Sequence, residues 1–379
     1  MTRTDLPEHV HLWLADPLSP EVLSSLQRLS AAVDVQQVAV MPDVHLASNV
    51  CVGVAVATRE RIYPQAVGGD IGCGMAAVAF DAEAGMLDNE SAAARVLAGL
   101  YAAVPCNRHH RRSQPEPPPE LFAEPLSHPR LESIRARDGR VQFGTLGRGN
   151  HFVELQRDET DRLWLMVHSG SRGLGQAITT HHLHRADREN TLPGFWTSDQ
   201  QGQDYRADAD WAERYAFANR DQMIHSVAGL LAAEFAVACD WSTLIHESHN
   251  HVRSERHGNE ELLVHRKGAL PAATGRPGVI PGSMGTLSFH VEGRGLEAAL
   301  CSSSHGAGRL LTRTEARRQI ERKQLTRELR DVWFDHRRME SIAEEAPSAA
   351  RNIRKVMQAQ RELTRITRHL KPIICYKGW

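Results

Sequence analysis

The residues best placed for chemistry lie in glycine-rich turns. Asp70 and Cys73 stand with two residues between them in Ala66-Val67-Gly68-Gly69-Asp70-Ile71-Gly72-Cys73-Gly74-Met75. Glycine lets a backbone approach a ligand closely. A hard carboxylate beside a soft thiolate suits a transition metal better than calcium. Taken alone, the stretch reads equally well as a buried turn with an inert cysteine. Histidines elsewhere tip the balance. His151 follows the turn Gly144-Thr145-Leu146-Gly147-Arg148-Gly149-Asn150, and His168 opens His168-Ser169-Gly170-Ser171-Arg172-Gly173. His249 sits in His246-Glu247-Ser248-His249-Asn250-His251, where the spacing is not H-E-x-x-H and disfavours a zincin protease. A thiolate, a carboxylate and three imidazoles exceed what one tetrahedral ion with an open position takes from protein. Two ions sharing the thiolate would fit, and paired metals commonly serve phosphoryl transfer.

His305 is set apart, between Ser302-Ser303-Ser304 and Gly306-Ala307-Gly308-Arg309. A neutral imidazole is a competent nucleophile toward phosphorus. A further metal ligand or a structural histidine is the plainer alternative. Backbone N–H groups of such turns suit phosphate oxygens. Arg172, Arg266, Lys267 and Arg309 could add charge-assisted bonds to phosphate. No turn is a Walker P-loop, because no glycine precedes Lys-Ser or Lys-Thr.

Positioning these turns takes a sizeable core. The chain has 379 residues, 41% hydrophobic and 24% charged, as a soluble globular protein requires. Its net charge of -1 gives no global basic field, so any nucleic-acid footprint must be local, as at Arg108–Arg112 or His265–Lys267. Six cysteines without a C-x-x-C pair argue for a reducing compartment. The N-terminus lacks a signal-peptide pattern and no apolar run reaches membrane-spanning length, so the expectation is a cytoplasmic protein.

Apolar periodicity predicts helices over 17–33, 91–102 and 208–238, the last with Trp211, Tyr215, Ala218, Met223 and Leu230 as its core stripe. Strands are expected at Val38–Met41, Val50–Ala57, Ala76–Phe80 and Leu163–Val167, and again from Pro372 to the C-terminus. The proline-rich segment 114–125 reads as a surface loop or lid. The segment 312–370 reads as helical, broken at Pro347. Motifs on both sides of the proline-rich loop would build one site, so residues 1–379 are read as a single domain.

Together the motifs resemble the RtcB family of RNA ligases. The resemblance runs through Met41–His45, Val67–Met75, Gly144–Glu154, His168–Gly173, Ser248–Asn250, Val264–Ala269, Pro281–Thr286, His305–Arg309 and Lys377-Gly378, in the family's order and over nearly the whole chain. It implies an α/β fold with mixed central sheets flanked by helices. It also implies ligation of RNA 3′-phosphate or 2′,3′-cyclic phosphate ends to 5′-hydroxyl ends, dependent on GTP and two Mn²⁺ ions. By position, Asp70, Cys73, His151, His168 and His249 resemble the metal ligands, with Cys73 bridging, and His305 resembles the residue that takes up GMP. Asn150, His151, Phe152, Val153, Glu154, His249, Asn250, Pro281, Gly282, Ser283, Met284, Ser288, His305, Gly306, Ala307, Gly308 and Lys377 match guanylate-contacting positions. Arg172 matches a phosphate-binding position. The chain departs from the family at Ala350, where a tyrosine usually packs on guanine, and in Leu46-Ala47-Ser48-Asn49, which lacks the expected glycine. The resemblance fits a divergent paralogue working as a monomer or weak oligomer. A metal-dependent end-processing phosphodiesterase, or guanylylation of 3′ ends without ligation, is the alternative.

Overall fold

Apolar, β-branched runs dictate two large sheets that meet along the site. The computed structural model describes residues 6–110, 113–187 and 192–378. The larger sheet has seven strands in the order Pro277–Ile280, Ser288–Gly293, Thr364–Lys377, Phe152–Asp158, Arg162–Ser169, Gly74–Glu83 and Cys239–Ser248. Every neighbouring pair in it is antiparallel. The smaller sheet has five strands in the order Val10–Leu12, Val35–His45, Val52–Thr58, Glu260–Lys267 and Asn250–His257. Only its first pair is parallel. The α/β expectation with flanking helices holds, with mixed pairing confined to the smaller sheet.

Antiparallel register gathers four strand ends at one edge. Phe152 and Met75 both pair with His168, and Gly74 pairs with Ser248. Each of the turns carrying Cys73, His151 and His249 therefore opens or closes a strand beside His168. His249 also marks the corner where the chain leaves the large sheet and enters the small one.

The helix Gln200–Phe235 covers the back of this edge, burying Trp211, Tyr215 and Met223, with Ala218 and Leu230 half-buried. Gly72 has φ +74°, and a Cβ there would lie 2.7 Å from the Cα of Glu213 on this helix. Only glycine fits so close an approach, so this packing sets the path of the Asp70–Cys73 turn. Two other predicted helices form as Pro20–Ser30 and Glu90–Ala103. The first starts where the Ser19 side chain accepts from Val22 N–H at 3.3 Å.

Three expectations need correction. The strand expected to stop at Met41 runs through Pro42 to His45. The segment 312–370 is not helical throughout. It holds four short α-helices, Arg313–Gln319, Arg322–Glu328, Met339–Ile342 and Ile353–Ala359, and Thr364–Leu370 opens the final strand. β-Branched Thr364, Ile366 and Thr367 lie in that stretch, and pairing with Ser288–Gly293 outweighs its charge-rich, helix-like composition. The proline-rich segment is not a free lid either. Leu121 is buried, and its carbonyl accepts from Trp211 Nε1 at 2.7 Å and Arg135 Nη1 at 3.2 Å. Of the basic cluster Arg108–Arg112, Arg111 and Arg112 lie outside the described residues. No helix among the described residues is long and apolar enough to cross a membrane.

Candidate metal and nucleotide site

At the gathered strand ends, five side chains turn electron-rich atoms toward one another. Cys73 Sγ lies 3.2 Å from His168 Nε2 and 3.6 Å from His151 Nε2. His151 Nε2 lies 2.8 Å from Asp70 Oδ2, and His168 Nε2 lies 3.4 Å from His249 Nε2. Backbone carbonyls orient two of the rings. His151 Nδ1 is 2.9 Å from Leu146 O, and His168 Nδ1 is 3.0 Å from Asn150 O. A carbonyl only accepts, so each Nδ1 carries a proton and each ring turns its Nε2 inward. Burial holds His168 and His249 well below the usual histidine range, which keeps them neutral. Burial and the neighbouring Asp70 push the Cys73 thiol well up.

This arrangement fits cations. Asp70 Oδ1 and His249 Nδ1 are buried without a hydrogen-bond partner. The donors fall into two triads, Asp70–Cys73–His151 and Cys73–His168–His249, each with its atoms within 4.8 Å of one another. Cys73 belongs to both. Sulfur, imidazole and carboxylate donors together favour a transition metal over Mg²⁺ or Ca²⁺.

His305 faces this cluster. Its ring centroid is 4.8 Å from that of His249. The strand Ser302–Ser304, paired with Ala269–Pro271, delivers it there. Gly268 lets it approach: φ there is +62°, and a Cβ would sit 2.9 Å from His305 Cε1. On the far side, His305 Nδ1 lies 2.7 Å from Oδ2 of the fully buried Asp43. The two atoms are close without hydrogen-bond alignment, and neither Asp43 oxygen has another donor. The reading of residue types assigned Asp43 no role. Its signal was a carboxylate two residues before a histidine, at the end of an apolar strand.

A cleft opens above His305. Asn150, Phe152, the turn Pro281–Ser283 and the turn Gly306–Arg309 line it, as do Glu344, Glu345 and Ala350. Other expected contacts sit behind its wall. Lys377 Nζ lies 3.0 Å from Glu345 Oε1, and Arg309 Nη2 donates to the same oxygen at 2.7 Å. Ser288 Oγ accepts from Gly282 N–H at 3.1 Å, and Met284 packs among the C-terminal helices. Asn250 ties two turns together, donating to Asp70 O at 3.1 Å and accepting from Gly268 N–H at 2.8 Å. Val153 and Glu154 are buried in the sheet, where burial raises the Glu154 carboxyl to about 8. Glu344 and Glu345 are cleft residues that the sequence reading did not single out.

The family model described as "tRNA-splicing ligase RtcB" matches residues 25–128 and 123–378. The chain belongs to the RtcB ligase family. Among similar proteins, "RNA-splicing ligase RtcB" of Escherichia coli (strain K12) is 36% identical over 377 residues, 90% of each chain. "RNA-splicing ligase RtcB2" of a second Escherichia coli strain is 32% identical over 344 residues, 86% of this chain and 83% of the relative. An RtcB relative from Thermococcus kodakarensis, "tRNA-splicing ligase RtcB", is 31% identical over 290 residues, 63% of this chain and 60% of the relative.

Not every expected phosphate contact lies in this RtcB site. Arg309 borders the cleft. Arg172 donates to Thr145 Oγ1 and Cys106 O, both at 3.0 Å, behind the Asp70 turn. Arg266 and Lys267 do not form a surface patch. Arg266 is buried and spends its guanidinium on Glu255, Ser302 Oγ and Leu300 O. Lys267 Nζ donates to Val50 O at 2.7 Å, and burial lowers it to about 8. His265 beside them is also fully buried. Strand pairing on both sides turns this run inward, which a basic composition does not reveal.

Proposed function

We propose that this chain joins an RNA 3′-phosphate or 2′,3′-cyclic phosphate end to a 5′-hydroxyl end, using GTP and Mn²⁺ through a guanylate held covalently on His305. The observation that carries the reading is the position of His305, between the electron-rich cluster and a cleft walled by glycine turns. Asp70, Cys73, His151, His168 and His249 would hold two manganese ions, with Cys73 common to both, and bound there they would neutralise phosphate charge beside His305.

His305 does the covalent work. Asp43 faces Nδ1 and favours the proton there, leaving Nε2 with a free lone pair. Nε2 attacks the α-phosphorus of GTP, the P–N bond forms, and pyrophosphate leaves with the electron pair of the broken P–O bond. A 3′-phosphate oxygen of RNA then takes the guanylyl group and the P–N bond breaks. The 5′-hydroxyl attacks the activated 3′-phosphorus and GMP leaves. A cyclic end is first hydrolysed to the 3′-phosphate. Backbone N–H groups of Gly306–Arg309 and Pro281–Ser283 suit the nucleotide phosphates. Glu345, set by Lys377 and Arg309, places a carboxylate in the wall for the N–H edge of guanine.

The test is covalent labelling. Purified protein with Mn²⁺ and α-labelled GTP should become labelled, His305→Ala should not, and ATP should not substitute. Opening of a cyclic-phosphate RNA without GTP, with no joined product, would instead favour a phosphodiesterase.

A further inference from the structure

A separate cluster stands at the root of the strand that delivers His305. One donor atom from each of His257, Glu297 and Cys301 lies within 4.8 Å of the other two. His257 ends the strand Asn250–His257, Glu297 lies in the helical turn Glu297–Ala299, and Cys301 immediately precedes the strand Ser302–Ser304. No residue of the His305 site belongs to this cluster. We propose that His257, Glu297 and Cys301 form a further cation site, fitted to Zn²⁺, that clips the end of one strand to the turn leading into His305.

Several observations point there independently. The His257 side chain is 8% exposed, yet its Nε2 has no hydrogen-bond partner. Its Nδ1 lies 3.0 Å from Glu297 Oε2, and its Nε2 lies 3.5 Å from Glu255 Oε2. Glu255 is already clamped by Arg266, which leaves His257, Glu297 and Cys301 as the available ligands. Sulfur, nitrogen and oxygen donors suit Zn²⁺, and three protein ligands leave a fourth position for water. Cys301 is half-buried, and the exposed Glu297 gives an entry path.

The backbone is committed to this geometry. Leu300 and Cys301 adopt φ of +50° and +45°, a left-handed pair without glycine. Two bonds hold it, Leu300 N–H to Glu297 O at 2.8 Å and Cys301 N–H to Leu296 O at 3.1 Å. Arg266 binds Leu300 O and Ser302 Oγ on either side of Cys301. A cation on Cys301 would therefore fix the root of the strand that ends at His305, without touching nucleotide.

Site-resolved alkylation tests the proposal. Folded full-length protein is treated with N-ethylmaleimide, with and without Zn²⁺, and each cysteine is followed by peptide mass spectrometry. Zn²⁺ should slow labelling of Cys301 by at least about tenfold, and Mg²⁺ should not. His257→Gln should abolish that protection, and Glu297→Gln should weaken it. Equal labelling with and without Zn²⁺, or equal protection in His257→Gln, overturns the site. Should Cys301 resist the reagent even without metal, cobalt decides. Protein carrying Cys73→Ser should take up Co²⁺ with a thiolate charge-transfer band, and adding Cys301→Ser should remove it. Absence of the band, or its survival in the double variant, overturns the proposal.

Discussion

Two polar clusters adjoin at His249, between the strands Cys239–Ser248 and Asn250–His257, and they obey opposite rules. In the first, Asp70, Cys73, His151, His168 and His249 turn acceptor atoms toward one another. In the second, donors and acceptors alternate. Arg266 binds Glu255 and reaches His251 Nε2 at 3.2 Å, and His251 Nδ1 meets Ser248 Oγ at 2.9 Å. Ser248 Oγ in turn meets Glu213, which pairs with Arg253 at 2.7 Å, and Arg253 shares Glu247 with Arg276. The two clusters draw on similar residue types. Pairing distinguishes them: the second network satisfies itself, whereas the first gathers ligand atoms and leaves Asp70 Oδ1 and His249 Nδ1 without a partner.

Deleting the shared ligand tests that contrast hardest. Cys73→Ala removes a donor from both triads. On the proposed reading the variant should retain neither Mn²⁺ ion at concentrations that would fill the wild type, measured by metal analysis after equilibrium dialysis, while its circular dichroism stays native. Full metal content in the variant would break the contrast.

The opposite pattern is expected in the paired network. Arg266→Ala leaves Glu255 without its clamp and empties a fully buried site. Losing one partner of such a pair costs about 3–5 kcal/mol. The urea midpoint should fall accordingly, while metal content per folded molecule is unchanged. A variant as stable as wild type that binds RNA less well would restore Arg266 to the phosphate-contacting role its sequence context implied.

That reversal shows what the sequence could and could not reveal. Cys73, His151 and His168 were legible because each sits where an apolar strand meets a glycine turn, and both signals are local. Their convergence follows from antiparallel register, which brings Met75 and Phe152 to the same partner, His168. Arg266 was misread because the groups that claim it are remote in sequence. Its guanidinium goes to Glu255 on the neighbouring strand and to Leu300 O and Ser302 beyond it. Lys267 goes to Val50 O, 217 positions away. Asp43 was hidden by Pro42, which reads as a strand stop yet lies inside one. The strand Thr364–Lys377 was hidden by its charges, since only its partners give it a sheet to join.

A smaller effect belongs to the cleft. Ala350 lies in its wall, where a stacking side chain is absent. Ala350→Tyr should tighten GTP binding by about 1–3 kcal/mol, the usual worth of base–aromatic stacking. Calorimetric titration with GTP and ATP measures it, and an equal gain for both would place the ring against any base rather than guanine alone. No gain at all would mean that the base lies elsewhere in the cleft.

Glu154 tests the boundary between the two regimes through pH. It is a buried acid that accepts from Gln156 Nε2 at 2.6 Å, and burial raises it to about 8. Lys377 is near enough to oppose that rise but is committed to Glu345. An unfolded glutamate titrates near about 4.3. Between those values the folded chain keeps a proton that the unfolded chain has released. Stability from this group is therefore complete at acid pH and is lost as pH rises toward about 8. The slope is at most about 1.4 kcal/mol per pH unit. Glu154→Gln should remove it, so the difference in unfolding free energy between wild type and variant should drift steadily from pH 5 to about 8 and then level off. A constant difference across that range would mean that Glu154 is ionised when folded. Lys377 would then answer to two carboxylates, and Glu154 would belong with the closed network rather than with a neutral acid behind the cleft.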